Sequence, residues 1–272
     1  MGNQKEFDAI TRDIKNVKIQ GARNIAKAAL VAYYLVPSEK SRKKLVSLRP
    51  TEPMMRRVLQ MAKYFPKEKI MNHFDSAQDK INKAVFNLVK NKDIIFTHCH
   101  STNVSKALVY AHKKGKRFQV YITETRPLYQ GRKTAKEMQK AGINVTMFVD
   151  SAMATAIEKE GKKDKIYAKK IFIGADALLK KGVINKIGSR AIAELADHHN
   201  VPLYVIADSW KYTSERIPIE YRGLNEIWDK APKKIKIKNP AFEFVPKKYI
   251  RYIVSELGVS IYDSFLKMVG KN

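Results

Sequence analysis

The chain has 272 residues, 44% of them hydrophobic, enough to bury a substantial core and long enough for one large domain or two. Its 53 Lys and Arg against 26 Asp and Glu give a formal net charge of +27, which favours anionic partners. The basic runs (KSRKK at 40–44, KKDKIYAKK at 162–170, KKIKIK at 233–238) are spread along the chain instead of clustering as a nucleic-acid footprint would, and most of them read as solvated surface.

Up to about residue 91, apolar side chains recur at spacings of three and four, as in Ile25, Ala28, Ala29 and Ala32, or Ile70, Phe74, Ile81, Val85 and Leu88. That spacing predicts several helices, with breaks at Pro37, Pro50, Pro53 and Pro66. From residue 93 the texture changes to short β-rich runs: IIFTHC, FQVYIT at 118–123, VTMFV at 145–149, KIFIGA at 170–175 and LYVIA at 203–207. Helical patterns separate them at 102–114, 131–141, 151–160 and 188–199. Alternating strands and helices predict a parallel sheet covered on both faces. The expected fold class is α/β, with a helical N-terminal domain over 1–91 and a Rossmann-like domain over 92–272. One cysteine excludes an internal disulfide, the first thirty residues are charged and helix-like, and no apolar run approaches the roughly twenty residues of a membrane span. A cytoplasmic protein with no membrane partner is expected.

The single cysteine, Cys99, stands between His98 and His100 where an apolar strand ends and a helix begins. Ser101 or Thr102 suits the helix N-cap, and Lys113, Lys114 and Gly115 suit its end. A thiol beside unpaired helix amides tends towards thiolate, so a lowered pKa is one expectation, and a buried structural cysteine is the other. Successive side chains on extended backbone face opposite ways, which argues against the His-Cys-His run converging on one metal ion.

In open parallel sheets, ligands bind beyond the carboxyl ends of the strands. The residues there are Cys99, then Glu124, Thr125 and Arg126, then Asp150, then Asp176, then Asp208 to Lys211, with Asn185 and Lys186 alongside. Asp150 and Ser151 read as turn residues. Asp176, within the apolar GADALL, reads as a carboxylate in partly buried surroundings.

Four motifs in this order, THCHST, TETRPLYQG, GADALLKKGVINKIGS and ADSWKY, resemble those of a superfamily. It unites ribose-1,5-bisphosphate isomerase, methylthioribose-1-phosphate isomerase and the regulatory subunits of translation initiation factor 2B. IQGARNIAKAA at 19–29 and LRPTE at 48–52 extend the resemblance over nearly the whole chain. It implies Cys99 and Asp176 as the catalytic pair, which the regulatory subunits usually lack, and a conversion of ribose 1,5-bisphosphate to ribulose 1,5-bisphosphate. The CHS sequence and the lysine of SWKY look more like the archaeal bisphosphate isomerase than the methylthioribose branch. Carried over residue by residue, the resemblance puts one phosphate near Gly21 and Ala22 with Arg49 and Arg126 close by, and brings Gln130 to the sugar. Asn185, Lys186 and Lys211 would hold the other end. Gln20 stands where an arginine usually precedes Gly-Ala, so either Arg23 substitutes from the next turn or binding weakens. The segment EKEGKKDKIYAKK is longer than the family pattern. No metal or organic cofactor is implied, and the expected assembly is a homodimer or homohexamer. The alternatives are a regulatory subunit that binds a translation initiation factor, and methylthioribose-1-phosphate isomerase.

Overall fold

A computed structural model describes residues 2–158 and 167–270. Five helices come first: α1 (Gly2–Lys15), α2 (Ala22–Leu35), α3 (Glu39–Leu48), α4 (Pro53–Met61) and α5 (Lys67–Leu88). The prolines sit where helix geometry tolerates them. Pro37 lies between α2 and α3, Pro53 opens α4 at a position whose N–H has no helical partner, and Pro66 is the N-cap of α5. Ile25, Ala29 and Ala32 of α2 are fully buried against Met54, Val58 and Leu59 of α4 in one core.

Strands then alternate with helices: β1 (Ile94–Thr97), α6 (Thr102–Lys113), β2 (Gln119–Thr123), α7 (Gln130–Lys140), β3 (Asn144–Phe148), α8 (Met153–Ile157) and β4 (Lys170–Ile173). A hairpin of β5 (Ala177–Leu179) and β6 (Gly182–Lys186) follows, then α9 (Ser189–His198), β7 (Leu203–Ile206), β8 (Phe242–Pro246), β9 (Tyr252–Ser255), β10 (Gly258–Ser260) and α10 (Tyr262–Val269). The main sheet has the order β10-β9-β7-β4-β1-β2-β3, and every neighbouring pair is parallel except β9 with β10. Alternation along its strands feeds two cores. Ile94, Phe96, Ile171 and Ile173 face α8, α9 and α10, while Ile95, Val120 and Phe172 face α5 and α6. Helix α5 joins the two halves of the molecule, because Ile70 and Phe74 lie in the helical core and Ile81 and Val85 in the core beneath the sheet.

Two expectations change. The helix expected over 151–160 is a 3-10 turn at Asp150–Ala152 followed by the five residues of α8; its residues 159 and 160 fall outside the described residues. So does most of the long EKEGKKDKIYAKK segment. The second change is a separate antiparallel sheet, β5-β6-β8, which the sequence reading did not contain. Strands of three to five residues with no long apolar run give little periodicity to detect. Among the described residues, no helix is long and apolar enough to cross a membrane.

Candidate active site

Strand β1 is where the order of the main sheet turns, with β2 on one side and β4 on the other. Crossovers leaving in opposite directions open a crevice beyond the carboxyl ends of β1 and β4. Cys99 follows β1 there, and Gly174, Ala175 and Asp176 follow β4. Gly174 permits the close approach of the two ends, since a Cβ at that position would stand 2.6 Å from Ser101 Oγ.

The crevice opens into a narrow cleft with a cavity volume of about 100 Å³. The N-terminal helices contribute Gln20, Gly21, Ala22, Arg23, Arg49 and Glu52; the small sheet contributes Asn185, Lys186 and Phe242; Gln130, Lys133, Lys211 and Arg222 close it. The lining includes six Lys or Arg residues but only two carboxylates, Glu52 and Asp176, so it suits an anion.

Nine of the ten residues named from sequence converge on this cleft: Cys99, Asp176, Gly21, Ala22, Arg49, Gln130, Asn185, Lys186 and Lys211. Arg126 does not. Its side chain is exposed outside the lining, with Nη1 donating to Tyr129 Oη at 2.6 Å and Nη2 to the Ile227 carbonyl at 3.1 Å. Asp150, in the turn role read for it, accepts from the amides of Thr125 and Arg126 at 2.9 and 2.7 Å and fixes that loop. Arg23 is in the lining, yet its guanidinium donates to the Phe74 carbonyl at 2.7 Å and pairs with Asp75 at 2.6 Å. Those two contacts hold part of its donor set away from a ligand.

Cys99 adopts a left-handed conformation (φ 64°), donates its N–H to Thr125 Oγ1 at 2.9 Å and accepts from Thr134 Oγ1 at 2.9 Å. Ser101 caps α6 by accepting from the Val104 amide. The helix terminus is therefore in place, but the expected lowering of the thiol pKa is overturned. Burial pushes Cys99 up to about 11, outweighing the pull of the Lys186 ammonium and the His100 amide in the other direction. Burial likewise raises Asp176 against the opposing charges of Lys211, Lys186 and Arg49, and lowers Lys186. Lys211 Nζ donates to the Ala175 carbonyl at 2.6 Å, fixing its ammonium beside the end of β4.

The histidines flanking Cys99 have protein partners. His98 Nε2 donates to the Ile187 carbonyl at 2.8 Å, so Nδ1 accepts from Thr123 Oγ1. Thr134 gives its only hydroxyl hydrogen to Cys99, so His100 Nδ1 donates to Thr134 Oγ1 at 3.0 Å. Burial lowers both imidazoles to about 4 and keeps them neutral. Among the described residues, the cluster with metal-ligand spacing lies elsewhere, at His73, Asp208 and Glu256. Its groups are hydrogen-bonded within the fold, Asp208 to His73 and the Trp210 amide and Glu256 to Ser209.

Sequence reasoning missed several lining residues. Glu52 lies inside LRPTE without an expected role, Lys133 reads only as one more polar residue of a helix, and Arg222 sits in a stretch with no distinguishing pattern. Glu220 bridges two arginines, accepting from Arg49 Nη2 at 3.1 Å and Arg222 Nε at 3.0 Å. Even so, buried polar atoms of Arg49 (Nε, Nη1), Glu52 (Oε2), Gln130 (Oε1) and Arg222 (Nη1) have no hydrogen-bond partner. Buried polar groups are seldom left unpaired, so four such side chains lining one cleft point to a polar ligand.

Sequence comparison identifies the lineage. The chain belongs to the initiation factor 2 subunit family, whose pattern matches residues 35–261. Ribose 1,5-bisphosphate isomerase of Methanocaldococcus jannaschii is 34% identical over 280 residues, covering 90% of this chain and 88% of that protein. Methylthioribose-1-phosphate isomerase of Desulforamulus reducens is also 34% identical, over 210 residues covering 70% and 59%. Among solved structures, the translation initiation factor eIF-2B of Pyrococcus horikoshii OT3 superposes with a TM-score of 0.81 at 25% identity, covering 94% of this chain and 96% of that one.

Proposed function

We propose that this protein is an aldose-ketose isomerase that converts ribose 1,5-bisphosphate to ribulose 1,5-bisphosphate, with Cys99 and Asp176 as its catalytic pair. The observation that carries the reading is the placing of a thiol and a buried carboxyl at the switch point of the sheet, inside a cation-rich cleft. Near full-length likeness to proteins named for this reaction supports it. Methylthioribose 1-phosphate has one phosphate, and the positive charge on both sides of the cleft favours two.

The steps balance without an added reagent. Asp176, whose protonated form burial favours, gives its proton to the ring oxygen as the bond from that oxygen to C1 breaks. The cation left at C1 is shared with the phosphoester oxygen and acidifies the hydrogen on C2. Cys99 removes that proton as thiolate, forming an enol between C1 and C2, and returns it to C1. The C2 hydroxyl then passes its proton to the Asp176 carboxylate, which leaves a ketone and restores the acid. Cys99 rests as a thiol, so its own proton must first leave. Lys186, whose ammonium burial disfavours and which interacts with the thiol, is the neighbouring base that fits.

The proposal includes self-association as a homodimer or homohexamer, for which the exposed Tyr221, Leu224 and Trp228 offer an apolar surface. The test is incubation of pure protein with α-ribose 1,5-bisphosphate, and separately with methylthioribose 1-phosphate, followed by phosphorus NMR. Conversion of the bisphosphate is expected. Turnover of the monophosphate alone would reassign the substrate, and turnover of neither, with capture of an initiation factor subunit, would make this a binding protein.

A further inference from the structure

Glu52 has no task in the scheme above. It stands at the N-terminal end of α4, but its side chain makes no capping hydrogen bond there. It is 1% exposed; Oε1 lies 3.5 Å from Arg49 Nη2, at the limit of hydrogen bonding, and Oε2 has no partner. Arg49 is 5% exposed and also keeps Nε and Nη1 free. Glu52 and Arg49 both line the cleft, so an unfilled carboxyl oxygen and unfilled guanidinium donors serve the same ligand space.

An ionised carboxylate there would repel a phosphate, whereas a carboxylic acid would donate to it. The charged groups facing Glu52 are Asp176 after β4, Arg49 between α3 and α4, Lys211 after β7 and Glu220 before β8. Burial pushes the Glu52 carboxyl up to about 8 despite Arg49 and Lys211, and any ionisation of Asp176 adds to the rise.

We propose that Glu52 is a substrate-binding residue that acts as a neutral acid, donating a hydrogen bond from its carboxyl to an oxygen of the sugar bisphosphate beside Arg49, so that its ionisation weakens binding on the alkaline side. This rests on the sugar-bisphosphate reading of the cleft. Binding then holds a proton on Glu52, and above its ionisation the complex takes up that proton from solution. Affinity therefore falls as pH rises, approaching tenfold per unit above about 8. Burial also favours loss of the Lys186 proton, so the comparison with Glu52 variants is what isolates this group.

The test is calorimetric binding of ribose 1,5-bisphosphate between pH 6.5 and 9.5 in a Cys99→Ser background, in buffers of different ionisation enthalpy that report proton uptake. Proton uptake above pH 8 is expected. Glu52→Gln keeps a donor and removes the ionisation, so the Glu52 share of both the uptake and the alkaline weakening should vanish. Glu52→Met removes the donor as well, so binding should lose the same share of pH dependence and be weaker by about tenfold. Unaltered melting temperatures establish that both variants fold. An alkaline limb of the same depth in both variants would overturn the role of Glu52 while leaving the isomerase reading intact. Binding with proton uptake that depends on Glu52, in a wild type that shows no turnover, would overturn the isomerase reading and leave this inference standing. A wild type that neither binds nor turns over the bisphosphate would remove both.

Discussion

The carboxyl ends of β1 and β4 and those of β2 and β3 carry similar residue types to different outcomes. After β2 and β3, Asp150 accepts two backbone amides, Glu124 pairs with Arg132 at 2.8 Å and Arg126 donates to Tyr129 and Ile227. Those charged groups are occupied by the protein itself. At the β1 and β4 ends, Cys99 and Asp176 sit among cations that burial has shifted or left partly unpaired. The crevice lies at the switch point, so a charge there faces space a ligand can fill, whereas the charges at the β2 and β3 ends meet the fold itself.

The largest effect expected of that difference is a separation of activity from stability. Cys99→Ser and Asp176→Asn should each lower kcat by about a thousandfold or more with the melting temperature nearly unchanged. Asp150→Ala should do the reverse, lowering the melting temperature by several degrees as two charge-assisted hydrogen bonds are lost, with kcat within about tenfold of wild type. Steady-state kinetics beside thermal melts decide it. Full activity in Cys99→Ser would return the thiol to a structural role.

A second measurement, iodoacetamide labelling, sharpens the contrast at Cys99 itself. Burial raises this thiol from an ordinary 9 to about 11, and only the thiolate reacts. At pH 7.5 the reaction should run about a hundredfold slower than for an ordinary thiol, and its rate should climb about tenfold per pH unit towards 11. Bound sugar bisphosphate should protect it further, and Lys186→Met should slow it again by removing the cation that favours thiolate. Fast labelling at neutral pH would restore the low-pKa thiol inferred from the helix terminus alone.

The contrast between strand ends also marks what was legible beforehand. The helices and parallel strands announce themselves by period, prolines and caps, and the rim rule gathers Cys99, Asp176, Asn185, Lys186 and Lys211 from distant segments. The balance between burial and charge was not legible. Sequence shows that Cys99 adjoins a helix N-terminus but not how strongly the surrounding fold desolvates it, so of the two expectations for the thiol the lowered pKa was the one that failed. The rim rule also gives no facing direction: Arg126 satisfies it in position and then turns to Tyr129. Glu52 and Arg222 reach the cleft through tertiary packing of a helix start and an irregular loop, where no periodicity exists to read. The short β5-β6-β8 sheet that presents Lys186 escaped notice for the same reason.

The smallest effect tests the cations on either side of the divide. Lys211 and Arg49 line the cleft, and Arg49 keeps two donor atoms without partners, so each is available to a phosphate. A charge-assisted hydrogen bond to phosphate contributes about 1.5 to 3 kcal/mol, which is at least about tenfold in an equilibrium constant. Lys211→Met and Arg49→Met should therefore each raise KM for ribose 1,5-bisphosphate by about tenfold or more. Arg126 is exposed and already donates to Tyr129 and Ile227, and exposed charges contribute little, so Arg126→Met should leave KM within about twofold. If Arg126→Met raises KM as much as Lys211→Met does, the loop after β2 must swing its guanidinium into the cleft when substrate binds, and the partition between the two pairs of strand ends would hold only for the free protein.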